Sequence, residues 1–135
     1  MDTQKPVISV PRRITNKFIV EHKDYSFVYG YDYELKGALG QCVVAHGEQN
    51  CWHLSTMRKM CKSSRYWEDC EYKLVVDIMF NELMNAKLFA GNNPIIFFPK
   101  IGDGCAQLAF RAPRIFNWMK EQIKNLQYPN IEWTY

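Results

Sequence analysis

Residues 91–111 read Gly91-Asn92-Asn93-Pro94-Ile95-Ile96-Phe97-Phe98-Pro99-Lys100-Ile101-Gly102-Asp103-Gly104-Cys105-Ala106-Gln107-Leu108-Ala109-Phe110-Arg111. The apolar run from Ile95 to Phe98 sits between two prolines and is too short for a helix. It has no polar alternation. That pattern fits a central strand buried on both faces, as in a parallel sheet. Upstream, from about Glu71 to Phe89, the residues Tyr72, Val75, Val76, Met79, Leu83 and Ala86 recur on one helical face, and Gly91 to Pro94 ends that helix. Downstream, Pro113 stands where a first helical turn tolerates it. Ile115, Phe116, Met119, Ile123 and Leu126 then repeat at helical spacing, which predicts a helix over 112–126. Tyr25 to Tyr29 reads as an earlier buried strand ending at Gly30. A pair of glycines, Gly37 and Gly40, opens a short helix that Gly47 stops. Ile14 to Lys23 is expected to be an early strand or sheet edge, and residues 1–13 an extended or loosely attached entry. The segment 48–70 resists placement, apart from a short strand in Cys51-Trp52-His53-Leu54-Ser55-Thr56. The ending Ile131-Glu132-Trp133-Thr134-Tyr135 fits a last edge strand. Strands alternating with helices predict an α/β domain with a largely parallel sheet.

The chain has 135 residues, enough for one domain. Hydrophobic residues make up 47% and charged residues 23%, a globular rather than disordered balance. No apolar run is long enough to span a bilayer, and the N-terminus lacks the pattern of a secretory signal. A cytoplasmic protein without a membrane partner is expected. The formal charge is +3, and the basic residues are scattered, so nucleic acid is not the expected partner. The one basic cluster, Arg58 to Arg65, reads as a solvated loop or as an anion contact. An odd count of 5 cysteines argues against a disulfide framework. Cys42, His46, Cys51, His53, Cys61 and Cys70 lie close in sequence but lack the tight cysteine pair of structural zinc sites. Neither a metal nor a cofactor is expected.

In an open α/β sheet, ligands bind beyond the carboxyl ends of the strands. Two glycine-bearing loops fall at such ends: Gly30 to Gln41, and Lys100 to Gln107. Glycines let backbone N–H groups converge on an anion, and a helix start near Ala38 favours phosphate. Asp32 is a candidate acceptor for a ligand amino or hydroxyl group. Lys100 and Arg58 are candidate phosphate partners, and Tyr31, Tyr33, Trp52 and Phe110 candidate stacking rings. The plain alternative is a pair of structural turns. The dinucleotide, P-loop and nucleophile-elbow motifs are absent, and no catalytic residue is assigned. His46 is expected to be a structural histidine on the apolar side of the short helix. His53 is more open to a ligand role, although no Ser or Cys partner is evident.

Taken in order, these motifs resemble a known family. FFPKIGDGCAQLAF with the following RAPRIFNWMKEQI resembles the last strand, phosphate loop and helix of macro domains, the ADP-ribose-binding fold. KGALGQCVVAHG resembles their earlier glycine loop. The order YSFVYGYD, KGALGQCVVAHG, CWHLSTMRK, PKIGDGCAQLAFRAP is similar to small macro-like proteins of bacteriophages. The resemblance covers roughly residues 25–126. It implies that Gly30 and Asp32 lie at the adenosine end of a crevice and that Gly37, Gly40 and Gln41 form a first phosphate turn. Thr56 and Arg58 occupy the place of the family's Thr-Lys pair. Gly102, Asp103, Gly104, Cys105 and Ala106 form a second phosphate loop, with Gln107 beside it. The family's Asn after Gly-Asp is missing from Gly30-Tyr31-Asp32-Tyr33, Gln107-Leu108 replaces a third glycine, and the Asn of hydrolytic macro domains is absent from KGALG. Binding is therefore favoured over hydrolysis.

The expectation is a single three-layer macro-like α/β domain over residues 1–135, with a mixed, largely parallel central sheet flanked by helices. Its implied partner is an ADP-ribose-type nucleotide. If the bacteriophage likeness holds, it is a sponge for a cyclic ADP-ribose immune signal made by host TIR proteins. One alternative is a hydrolase or phosphatase of ADP-ribose derivatives using Asp32, Asp103 or His53 as general base. Another is a protein-interaction module, or a homo-oligomer, using the aromatics between Trp52 and Trp67 and the C-terminal strand. Gly40→Val and Gly102→Val are expected to abolish nucleotide binding on the first reading and to leave partner binding intact on the last.

Overall fold

The computed structural model describes residues 6–34, 37, 38, 40–58, 66–102 and 106–134, without the side chains of residues 40 and 41. The fold is α/β and has three layers. The middle layer is a parallel sheet of β2 (Ser26–Asp32), β3 (Cys51–Met57) and β4 (Ile95–Phe97), in the order β3-β2-β4. Alternation along β2 sends Val28 to one face, with Leu54 and Phe97, and Phe27 and Tyr29 to the other, with Cys51, Ile96 and Phe98. Both faces are buried, as the sequence from Ile95 to Phe98 demands.

The first face is covered by α2 (Tyr72–Ala90) and α4 (Pro113–Leu126), with the single turn α3 (Leu108–Arg111) leading into the latter. Val75, Met79, Leu83 and Ala86 of α2 meet Ile115 and Met119 of α4 in one core. Gly91 ends α2 with φ of 57°, a conformation in which glycine has no Cβ penalty. The start of α4 combines Pro113 with a cap from afar: Asp69 Oδ1 accepts the Arg114 N–H at 3.0 Å and the Ile115 N–H at 3.4 Å.

The second face carries α1 (Asn16–Glu21), a 3-10 helix at Gly40–Ala45, and a two-stranded parallel ribbon. The ribbon pairs β1 (Ile8–Val10) with β5 (Ile131–Trp133). Its Ile8 and Val10 are buried, so the N-terminal entry is part of the core from Ile8 onward rather than loosely attached. The expected strand over Ile14 to Lys23 is instead α1. The Thr15 side chain caps it by accepting the Phe18 N–H at 3.2 Å. At its far end the Asn50 side-chain amide donates to the carbonyls of Ile19 and His22, each at 3.0 Å. Local β propensity loses here to a cap and a tertiary hydrogen bond. The glycine-led short helix is a 3-10 helix, and the unplaced segment supplies the seven-residue strand β3.

Each edge of the central sheet has outward backbone groups held from outside the sheet. At β3, Glu82 Oε1 accepts the outward Ser55 N–H at 2.8 Å, and the Trp67 indole N–H donates to the Ser55 carbonyl at 3.1 Å. At β4, Gln127 Oε1 accepts the Phe97 N–H at 3.0 Å, and the Tyr128 N–H donates to the Ile95 carbonyl at 2.8 Å. These particular groups are thereby not free to pair with another strand.

Candidate functional site

Because β2, β3 and β4 run parallel, their three following loops emerge at one end of the sheet. The chain leaves β2 toward the second face, where Ala45 of the 3-10 helix is buried, and leaves β4 toward the first face, where Leu108 and Ala112 are buried. Neighbouring parallel strands whose connections depart to opposite faces define a topological switch point, the usual place of a ligand crevice.

Gly30 lies at this point. Its N–H, beyond the last pairing of β4, donates to Cys42 Sγ at 3.2 Å. A Cβ on Gly30 would stand 3.1 Å from Thr56 Oγ1, 3.6 Å from Cys42 Sγ and 3.9 Å from Ile101 Cγ1. The 3-10 helix that follows the first loop, the second loop and the end of β3 thus meet around one glycine. Asp32 is 2% exposed, and its N–H donates to the Gly37 carbonyl at 2.8 Å, closing the first turn of that loop. Thr56 is buried.

The second loop is closed by the Leu108 N–H donating to the Gly102 carbonyl at 2.8 Å. Lys100 and Gln107, at its two ends, have φ of 57° and 50°. Left-handed backbone at non-glycine residues costs about 1 kcal/mol or more each, and such residues cluster at ligand clamps. Both side chains are exposed, and Gln107 Oε1 accepts the Arg111 Nε–H at 3.3 Å. Gly102 has φ of 81°, and a Cβ there would come within 2.8 Å of Met119 Cε. Its glycine serves the core, so Gly102→Val strikes the fold and is unsuitable as a selective test of binding. Ala106 is buried with Met57 and Tyr66. Asp103, Gly104 and Cys105 lie outside the described residues, as do Cys61 and most of the basic cluster after Arg58. Of Gly40 and Gln41 only the backbone is described; it begins the 3-10 helix.

Arg58 faces carboxylates: Nε lies 3.6 Å from Glu34 Oε2 and an Nη 3.5 Å from Glu71 Oε2. Exposed pairs of this kind are weak. Among the stacking candidates, Trp52 packs on Phe89 and Tyr31 stacks on His53 with centroids 4.2 Å apart. Tyr33 is 41% exposed after β2, and Phe110 is 80% exposed after the second loop.

His46 differs from its expected place. His46 is exposed rather than turned to the core, and its Nδ1 lies 3.2 Å from the Tyr29 hydroxyl. Burial, then the neighbouring Tyr31, pushes the Tyr29 phenol well above its ordinary value. His53 Nε2 lies 3.3 Å from Glu82 Oε2, which also accepts the Ser55 hydroxyl at 2.6 Å. The carboxylate therefore stands between the serine and the histidine, so His53 is not placed to activate Ser55 as a nucleophile. Glu82 was not singled out from the sequence. Its signal is there: an acidic residue on the helical face of Val75, Met79, Leu83 and Ala86 must find buried partners. Among the described residues, no three His, Cys, Asp or Glu side chains converge as a metal site, and no helix is long and apolar enough to cross a membrane.

No curated protein and no solved structure matches the chain. Residues 10–122 match a family of unknown function, DUF7831, and the chain belongs to that family.

Proposed function

We propose that the protein binds an ADP-ribose-type nucleotide at the carboxyl end of its three-stranded sheet and holds it without cleaving it. The observation that carries this reading is the meeting of the β2 and β4 loops over Gly30, at a switch point. The left-handed Lys100 and Gln107 support it, as does an exposed ring beyond each strand, Tyr33 and Phe110. Lys100 supplies charge to the diphosphate, and loop amides supply donors. Asp32 sits beside the adenosine end in the macro-domain likeness. The likeness to bacteriophage macro-like proteins extends the reading to sequestration of a cyclic ADP-ribose immune signal.

Titration calorimetry with ADP-ribose, NAD and cyclic ADP-ribose isomers tests it. At least one of them gives saturable heat, weakened by Lys100→Glu. No heat from any of them contradicts the reading. Chromatography of the ligand released by heating separates holding from hydrolysis. The hydrolytic alternative has one observation in its favour, the His53 ring oriented by Glu82. Intact ligand supports sequestration, whereas turnover lost in His53→Ala supports hydrolysis.

A further inference from the structure

Arg111 ends α3 and is exposed, yet its guanidinium is held by three neighbours. Its Cζ stands 4.5 Å from the centroid of the Tyr66 ring and 5.6 Å from that of Phe110. Its Nε–H donates to Gln107 Oε1 at 3.3 Å. Contact with the rings and a tether at Nε fix the plane of the cation, and the two terminal Nη groups remain as a fork of donors. The platform is itself fixed. Tyr66 is buried with Met57, the last residue of β3, and with Ala106 of the second loop. Arg111 thus stands at the carboxyl end of the sheet.

No ion pair accounts for this ordering. Among the described residues, no carboxylate pairs with Arg111 or with Lys100. Arg58, by contrast, faces Glu34 and Glu71, and Arg114, over the Tyr72 ring, shares its groove with Glu121. Lys100 and Arg111 flank the second loop, whose neck is closed by the hydrogen bond from the Leu108 N–H to the Gly102 carbonyl. Two cations without counter-ions beside one neck suit two adjacent negative groups, a diphosphate rather than a single phosphate.

We propose that Arg111 is a diphosphate-binding residue of the crevice, with Gln107 as its positioning residue, and that it selects diphosphate ligands over monophosphates. For the rest of the ligand the inference rests on the nucleotide reading above. Inorganic pyrophosphate tests the anion site apart from that reading.

Nitrogen-15 NMR of the Arg111 Nε–H and titration calorimetry make the test, with circular dichroism confirming that each variant stays folded. Pyrophosphate shifts the Arg111 resonance saturably, and inorganic phosphate binds about tenfold or more weakly. Arg111→Lys keeps the charge and loses the fork, so it weakens both pyrophosphate and ADP-ribose by about tenfold or more. Gln107→Gly keeps the left-handed backbone and frees the guanidinium, so it weakens both by less. Equal affinity of wild type and Arg111→Lys for pyrophosphate and ADP-ribose overturns the inference and leaves the nucleotide reading standing. Equal affinity of the wild type for phosphate and pyrophosphate overturns the selectivity. Saturable pyrophosphate shifts at Arg111 with no heat from any nucleotide support the anion site and contradict the nucleotide reading.

Discussion

Glu82 holds three groups at once: the Ser55 N–H, the Ser55 hydroxyl and the His53 ring. Removing a buried acceptor leaves its donors without partners, which costs more than the bond itself was worth. Glu82→Ala is expected to lower stability by about 3 kcal/mol, and Glu82→Gln by clearly less, in urea unfolding. Cys51 gives a second test at this scale. Burial, then Glu48, pushes its thiol from 9.0 up to about 12. The folded state thus keeps a proton that the unfolded chain releases, so the contribution is intact below pH 9.0 and is lost as pH climbs toward 12. Tyr29 acts in the same direction from pH 10.0 upward. The denaturation midpoint is expected to be level to about pH 8 and then to fall, each group adding up to about 1.4 kcal/mol per pH unit. Cys51→Val flattens the first part of that fall. A midpoint rising above pH 9.0 contradicts these assignments. Lys100 bears on both stability and the proposed binding. Lys100→Gly relieves a left-handed residue and is expected to raise stability by about 1 kcal/mol, while weakening the nucleotide binding proposed here. Thermal melting and calorimetry on the same variant measure the two effects.

At the scale of elements, the period of the pattern decided what was legible. The helices around Val75 to Ala86 and Ile115 to Leu126 were plain in the sequence because their apolar residues repeat over several turns. The strand Ile95 to Phe97 was plain because prolines bound an unbroken apolar run. Helix α1 was not. Its six residues carry β-branched and aromatic side chains, and its stability comes from Thr15 and from Asn50, distant in the chain. Asn50→Ala is expected to cost about 2 kcal/mol and to expose the amides of residues 16–21 to hydrogen exchange before those of α2. Asp69 likewise caps α4 from another part of the chain. Asp69→Ala is expected to cost about 1 kcal/mol by urea unfolding, whereas Asp69→Asn retains most of the stability.

For the molecule as a whole, the parallel sheet was legible, and with it the end at which the loops gather. What the sequence did not disclose was the reason for each glycine. Gly30 admits Thr56, Cys42 and Ile101 to one point, while Gly102 has φ of 81° and a Cβ there would also crowd Met119 and Leu108. Equal residues in similar loops thus have unlike duties, and only packing separates them. The buried Glu82 and the hydrogen bonds made to the outer strands by Glu82, Trp67 and Gln127 escaped the sequence for the same reason, since each depends on partners far along the chain. The central claim is that the β2 and β4 loops form one nucleotide crevice. Amide chemical-shift mapping during titration with ADP-ribose and cyclic ADP-ribose tests it most directly. The account predicts saturable shifts concentrated at Gly30, Lys100, Ile101, Gly102 and Gln107, with α1 and the β1–β5 ribbon unmoved. Shifts confined to other surfaces, or no shifts with either nucleotide, contradict it.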